Sequence, residues 1–410
     1  MKADEAYQCG KCGLCLSACP VYRVMREETT TPRAKVHLIR SFAENRLPAT
    51  DRMQAKLQCC LMCGTCTAMC PGGVSHDTLF MRMRSQMAID RGQSKEVKAL
   101  GAILPKENRL RMAAKAARIG TSSLAQRIIG KMRIGNIPME NFPTPNRTPF
   151  RDQVPEVIEP EGKVVGTVAY FTGCATHHIF EQTGHAVVKV LRRMGYRILL
   201  PADQGCCGLP LFFHGEIRRA RENILTNIRS LSAHDCDAVL TDCATCGSAL
   251  GHMYPRLMAE LDLPAGDADA LAATVMDAGE FVATHMDLLT PHLSPAATRE
   301  TVTYHLPCHL KNHGSGKTLL ESLLTHLPHA DYHRTPDWDA CCGGGGFFFN
   351  EYPDIAKRMV DGKIANALAS GARTWATGCP GCRVQLAGNL PRKGVIEVCH
   401  PLEVVARGLR

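Results

Sequence analysis

Eight cysteines within the first 70 residues fall into two runs of identical spacing: Cys9, Cys12, Cys15 and Cys19 ahead of Pro20, then Cys60, Cys63, Cys66 and Cys70 ahead of Pro71. Each run spells C-x2-C-x2-C-x3-C-P. The whole chain of 410 residues carries 21 cysteines, far more than packing requires. Its first residues, MKADEAYQC, are charged and lack an apolar core segment, and no run of about 18 or more apolar residues occurs. The expectation is a cytoplasmic chain without an export signal or a spanning helix. In a reducing compartment, clustered cysteines are metal ligands rather than disulfides.

The spacing is that of two [4Fe-4S] cubanes, in which three close thiolates cap one cluster and the fourth, past the turn, reaches the other. By that logic Cys9, Cys12, Cys15 and Cys70 serve one cluster, and Cys60, Cys63, Cys66 and Cys19 the second. Structural zinc is the weaker alternative, because zinc sites rarely use two such four-cysteine runs.

Ten further cysteines form two matching sets. Cys174, Cys206, Cys207, Cys243 and Cys246 make the first; Cys308, Cys341, Cys342, Cys379 and Cys382 make the second, offset by 134 to 136 residues. The intervals are 31 and 35 residues in the first set and 32 and 36 in the second, and both end in C-x-x-C. This is an internal repeat. Neighbouring cysteines such as Cys341 and Cys342 make a strained disulfide, so an external partner is expected to hold them. Five thiolates exceed the needs of one cubane, which predicts a further iron-sulfur cluster, or a cubane with a spare reactive cysteine, in one or both halves. Gly343 to Gly346 let the backbone close on a bulky inorganic core and aim N–H groups at its sulfurs. Cys59, Cys236 and Cys399 stand outside both patterns and read as ordinary packed residues.

Short apolar runs precede these cysteines, in VVGTVAYFTGC, DAVLTDCATC, TVTYHLPC and RTWATGCPGC, and helical patterns such as 216–231 and 352–368 lie between them. The predicted fold class is α+β and multi-domain: a mainly helical two-[4Fe-4S] ferredoxin module, then two related α/β cysteine-rich domains with parallel sheets. Ligands gather at the carboxyl ends of the strands, and each C-x-x-C opens a helix whose dipole favours the thiolate. The expected organisation is 1–95 ferredoxin-type domain, 96–162 helical connector and proline-rich linker, 163–292 and 293–410 the two cysteine-rich domains.

The duplicated set resembles the "CCG" cysteine-rich domain associated with heterodisulfide reductase. The order of a two-cubane ferredoxin followed by two such domains is similar to iron-sulfur subunits of glycolate oxidases and lactate dehydrogenases, over nearly the whole chain. The resemblance implies an oxidoreductase acting as the electron-transfer subunit of a flavin-dependent 2-hydroxy acid (glycolate or lactate) dehydrogenase. It implies an FAD-binding dehydrogenase subunit as donor and a quinone or other carrier as acceptor. Two other readings share the layout: a heterodisulfide reductase-like subunit reducing a disulfide at a CCG cluster, and an anaerobic glycerol-3-phosphate dehydrogenase C-type subunit. Many glycolate-oxidase-type subunits have incomplete cysteine sets, whereas both are complete here, which keeps the disulfide reading open. No catalytic residue is assigned.

Several features bound these expectations. No G-x-G-x-x-G follows a strand, so a flavin is expected on another chain. HGSGKT, 313–318, imitates the end of a P-loop, but Lys311 stands where glycine is required. The formal charge of +9 is spread among interspersed acids, which argues against nucleic-acid binding. Between Arg109 and Arg133 lie seven Lys or Arg and no acid, with apolar residues at helical intervals. Such a stretch either lies peripherally on the inner face of a membrane or packs as a connector on protein. Six prolines from Pro138 to Pro160 predict a stiff linker, and the acidic, alanine-rich 261–289 a helical bridge. His177, His178, His214, His305 and His309 lie close in sequence to the cysteines and are candidates to tune a cluster or move protons. Phe212, Phe213 and Phe347 to Phe349 are read as hydrophobic cover.

Overall fold

The computed structural model describes residues 3–121, 132–294, 298–392 and 394–410. The expected basic stretch therefore lies partly outside the described residues, from 122 to 131. Most of its described part belongs to the helix Glu107–Gly120, which buries no residue.

The N-terminal module is built on two longer helices, Pro32–Ala43 and His76–Arg91. Thr31 starts the first by accepting from the Ala34 N–H at 3.1 Å, and Pro32 occupies the first turn, where its missing donor costs nothing. Val36 and Ile39 on one helix meet Leu79, Phe80 and Met83 on the other in one buried cluster.

The two cysteine-rich halves each contain a parallel sheet. Numbering strands along the chain, β1 (Arg133–Ile134) and β2 (Ile137–Pro138) form a small hairpin. The first sheet holds β3 (Val157–Ile158), β4 (Gly166–Phe171), β5 (Tyr196–Leu199), β6 (Ala238–Thr241) and β7 (Val275–Asp277) in the order β3-β5-β4-β6-β7. All pairings are parallel except β3 with β5. The second sheet holds β8 (Glu300–His305), β9 (Ala330–Tyr332), β10 (Thr374–Thr377) and β11 (Glu397–Cys399) in the order β11-β10-β8-β9, all parallel. The order β5-β4-β6-β7 is thus repeated as β9-β8-β10-β11, so the cysteine repeat is a repeat of the fold.

Three sequence expectations change. The proline-rich stretch is no free spacer: Phe150 is fully buried, and β3 zips antiparallel onto β5, with Val157 opposite Leu199. The alanine-rich bridge is interrupted by β7, which the adjoining parallel strand β6 supports. The expected helix 216–231 begins with a 3-10 turn, Ile217–Ala220, before the α-helix Arg221–Ser232.

The halves are interleaved. The helix Glu181–Arg193 after β4 packs on Pro401–Arg407 after β11, and reciprocally Leu319–His326 after β8 packs on Ala278–Thr284 after β7. One buried cluster consequently runs through both, from Val187 and Leu191 to Leu324, Trp375 and Val404. Each such side chain adds roughly 1.5–3 kcal/mol on burial, so neither half keeps its full core alone. Thr183 donates to Glu403 at 2.6 Å across this seam, where Arg383 also pairs with Glu403 at 2.7 Å.

Candidate metal centres

The two N-terminal cysteine loops share one backbone device. In each, the residue before the second cysteine and the residue after it have left-handed backbone: Lys11 (φ 56°) with Gly13 (φ 83°), and Met62 (φ 53°) with Gly64 (φ 74°). Two such residues in so short a span curl the loop around its own interior. Short helices, Leu14–Ala18 and Thr65–Ala68, then carry Cys15 and Cys66.

The fold brings the runs together crosswise. Cys9, Cys12, Cys15 and Cys70 line one cavity, with Lys11 and Arg33 in its wall. Cys19, Cys60, Cys63 and Cys66 line another, closed by Val21, Leu61 and Phe80. Burial pushes the Cys19 and Cys63 thiols up to about 12. Such sulfurs are poorly placed as free thiolates and are stabilised as anions once a cation is bound.

The CCG segments repeat a second device. Gly208 (φ 80°) and Gly343 (φ 81°) follow their cysteine pairs in the left-handed region. The Gly208 N–H donates to Cys206 Sγ and the Gly343 N–H to Cys341 Sγ, both at 3.5 Å. A side chain at 343 would meet the Ala356 carbonyl at 3.0 Å. Of the next glycines, Gly344 keeps the expected role, its N–H bonding to the Cys342 sulfur, whereas Gly345 serves a different purpose. A Cβ on Gly345 would fall 2.9 Å from the Leu61 carbonyl, so that glycine lets the loop dock on the N-terminal module.

That docking places the second half against the N-terminal cysteines. Asn312 donates to the Cys63 carbonyl at 2.8 Å, and His309 Nε2 lies 3.2 Å from the Met62 carbonyl. The guanidinium of Arg84, buried, donates to the carbonyls of Leu57, Gln58, Cys60 and Phe213, tying the first half to the same loop.

The ten later cysteines form one continuous line of interacting thiols. In the first half Cys174 meets Cys206, Cys206 meets Cys207, and Cys207 meets Cys246, which adjoins Cys243. Cys243 then meets Cys379 of the other half. From there the line runs through Cys382, Cys342 and Cys341 to Cys308. At its far end Cys308 and Cys341 both sense Cys63 electrostatically. Within the line, hydrogen bonding from Cys206 and Cys246 pulls Cys207 down to about 5, and bonding from Cys341 and Cys382 pulls its counterpart Cys342 well below the usual thiol range. The C-x-x-C cysteines Cys243 and Cys379 cap the helices Ala244–Ser248 and Pro380–Gly388, as the sequence suggested.

The histidines divide. The ring of His305 is fully buried at the end of β8, with both nitrogens unpartnered and a donor atom within 4.8 Å of the sulfurs of Cys342 and Cys382. Its repeat position in the first half is Phe171, also fully buried. His177 and His178 instead turn toward Glu107 on the connector helix, with Nε2 atoms 3.2 and 3.3 Å from Glu107 Oε1. The Arg151 N–H donates to His177 Nδ1 at 3.1 Å, so the neutral ring carries its proton on Nε2, facing Glu107. Burial pushes the Glu107 carboxyl up, but its contacts with His177 and His178 outweigh this and hold it well below the ordinary range; burial, foremost, pulls His177 down to about 4. Sequence reading passed over Glu107, which has no local motif; only the fold brings it there. His214 is buried, 3.5 Å from Glu351.

The remaining candidates are structural. The backbone N–H groups of Ser315 and Gly316 donate to Glu280 at 2.9 and 3.2 Å, so the P-loop lookalike is already occupied by a carboxylate of its own chain. Phe212, Phe213 and Phe348 are buried, and so are Cys59 and Cys399, whereas Cys236 is only half-buried.

Residues 168–251 and 302–387 each match the profile of the cysteine-rich domain CCG, and residues 5–74 match that of the 4Fe-4S dicluster domain. The chain is a 4Fe-4S dicluster and CCG-domain protein. It is similar to the probable glycolate oxidase iron-sulfur subunit of Bacillus subtilis (28% identity, 96% of this chain and 91% of that one). It is also similar to one chain of the dihydromethanophenazine:CoB–CoM heterodisulfide reductase of Methanosarcina mazei (25%, 99% and 94%) and to lactate utilization protein A of an Exiguobacterium species (28%, 59% and 98%). At this low identity the CCG-domain protein shares its architecture with iron-sulfur subunits of several redox complexes. All-sulfur donor sets around two cavities fit the 4Fe-4S dicluster assignment, and the buried cysteine and histidine group at His305 supports further iron-sulfur binding in the CCG region. Among the described residues no helix is long and apolar enough to cross a membrane.

Proposed function

We propose that this chain is the electron-transfer subunit of a flavin-dependent 2-hydroxy acid dehydrogenase, taking electrons from an FAD-binding partner subunit and delivering them to a quinone or another carrier. In this reading Cys9, Cys12, Cys15 and Cys70 hold one [4Fe-4S] cluster and Cys60, Cys63, Cys66 and Cys19 a second. The five-cysteine sets hold further iron-sulfur centres. Such clusters supply one-electron redox steps, which a two-electron flavin donor needs in order to feed a separate acceptor. The observation that carries the reading is the thiol line itself: ten buried or half-buried sulfurs in series, whose end residues Cys308 and Cys341 lie within electrostatic reach of Cys63. A structural zinc protein has no use for ligand sets so near one another, whereas a relay requires them close.

The chain's own residues then do three things. Phe213, Leu61 and Phe80 exclude water; Gly208 and Gly343 present N–H donors to sulfur; Arg84 and Asn312 fix the modules' spacing. Copurification of the native partner, followed by assay of the complex with lactate, glycolate and glycerol 3-phosphate, tests the reading. Flavin-dependent reduction of this chain by a 2-hydroxy acid supports it, and a flavin-free partner overturns it.

One observation favours a second reading. Both CCG sets are complete and meet face to face at Cys243 and Cys379. Two facing sites suit a disulfide, whose reductive cleavage leaves two sulfurs, one for each site. It predicts an altered EPR signal when a disulfide is added to partly oxidised protein, which a relay does not give.

A further inference from the structure

The N-terminal module contains a cavity of about 600 Å³ that shares two wall residues, Lys11 and Arg33, with the cavity of Cys9, Cys12, Cys15 and Cys70. Its volume lies in the range of about 300–1,000 Å³ typical of small-molecule sites. Ala34 and Leu38 of the helix Pro32–Ala43 line it together with Leu47, Pro48 and Met53. This interior is apolar. The rim is cationic: Lys11, Arg33, Arg52 and Lys56, with His37 beside them. Glu28 pairs with Arg33 at 2.9 Å and Glu27 with Lys56 at 3.3 Å, which leaves Lys11 and Arg52 without a carboxylate among the described ion pairs. Arg33 is held in place by the Glu28 carboxylate and by the Lys11 carbonyl at 3.3 Å. It forms the partition between the two cavities.

We infer that this cavity binds a lipophilic quinone. The apolar interior suits the ring and the first part of its tail, and the cationic rim meets negative charge arriving on the carbonyl oxygens. The shared wall brings the ring beside the first cysteine quartet. The inference rests on the proposed relay function for its electron supply: quinone to quinol takes two electrons, released by oxidation of one hydroxy acid on the partner, and two protons, taken from water at the open mouth. An anionic peptide would use the rim but leave the apolar interior unfilled, and a hydrophilic acceptor would gain nothing from Leu38 and Leu47.

The test uses the full iron-loaded chain without its partner, so it stands apart from the hydroxy acid reading. Binding of a short-tailed ubiquinone is measured by equilibrium dialysis, and reoxidation of dithionite-reduced protein by the same quinone is followed by stopped flow. Ala34→Trp fills the cavity and Leu47→Glu charges its exposed lip. Each is expected to weaken binding and slow reoxidation by at least about tenfold, while Leu368→Glu, an exposed residue of the second CCG half, behaves as wild type. EPR of the clusters reports that each variant is folded. If wild type does not retain quinone, or both cavity variants bind it as well as wild type does, the site is not a quinone site.

Discussion

Thr245 Oγ1 lies 3.3 Å from Cys379 Sγ, so the middle of one C-x-x-C touches the first sulfur of the other. The same hydroxyl is 3.3 Å from His309 Nδ1. The contact crosses the seam between the two CCG halves and is a direct way in which one set can sense the charge of the other. Thr245→Val keeps the shape and removes the hydrogen bond. With roughly 1 kcal/mol at stake, the potential of the second-half centre should fall by about 40 mV for a one-electron couple. EPR-monitored redox titration checks this, and an unchanged potential places the hydroxyl outside the electrostatics of the site.

His305 stands where the first half has Phe171. His305→Phe should therefore fold normally, because the repeat already accommodates a phenyl ring there. If the imidazole donates to sulfur without binding metal, iron content stays constant and the potential drops by a few tens of millivolts, on the order of one hydrogen bond. Loss of iron from the variant shows ligation instead.

Glu107 and His177 give the protein an acid limb. His177 is pulled down to about 4 from its ordinary value, so the unfolded chain takes up a proton that the folded one refuses, and stability falls as pH drops from about 6.5 toward 4. The depressed Glu107 carboxyl acts in the same direction, stabilising above its unfolded pKa and losing that contribution as pH falls below it. Thermal melts should be flat from pH 7 to 8 and decline below about 6.5. Glu107→Gln should lower the melting temperature at pH 7, leave the decline below about 6.5 at least as steep because the contact that raises His177 is gone, and remove the further loss below about 4.5; an identical pH profile contradicts the coupling.

Gly343→Ala combines a left-handed backbone with a Cβ 3.0 Å from the Ala356 carbonyl, whereas Gly371 (φ 67°) faces open space. Gly371→Ala should cost about 1–2 kcal/mol for the backbone alone. Gly343→Ala should cost more and also reduce iron retention, since its N–H is aimed at Cys341 Sγ. Equal losses in melting temperature and iron would mean that the CCG glycine has only a turn-forming role.

Much of this architecture was legible because its signals are local. Cysteine spacing, apolar runs such as Val168 to Phe171, and a cap such as Thr31 need only near neighbours to be read. What escaped depends on partners far along the chain. β7 is three residues long and is a strand because β6 lies beside it; β3 and Phe150 belong to the first half because β5 and its core receive them. The seam joining Cys243 to Cys379, 136 residues apart, follows from the interleaving of the halves, and the reach of Glu107 to His177 from the seating of the connector helix on the first half; no spacing announces either.

Iron and acid-labile sulfide per chain, measured on anaerobically prepared protein and on Cys70→Ser and Cys19→Ser, decide whether these cysteines hold iron-sulfur clusters. Wild type is expected to carry more than the roughly eight irons of two cubanes. Each variant is expected to lose one cubane EPR signal: in Cys70→Ser the cluster bound by Cys9, Cys12 and Cys15, in Cys19→Ser the one bound by Cys60, Cys63 and Cys66. Zinc in place of iron, or variants that keep both signals unchanged, would contradict this assignment.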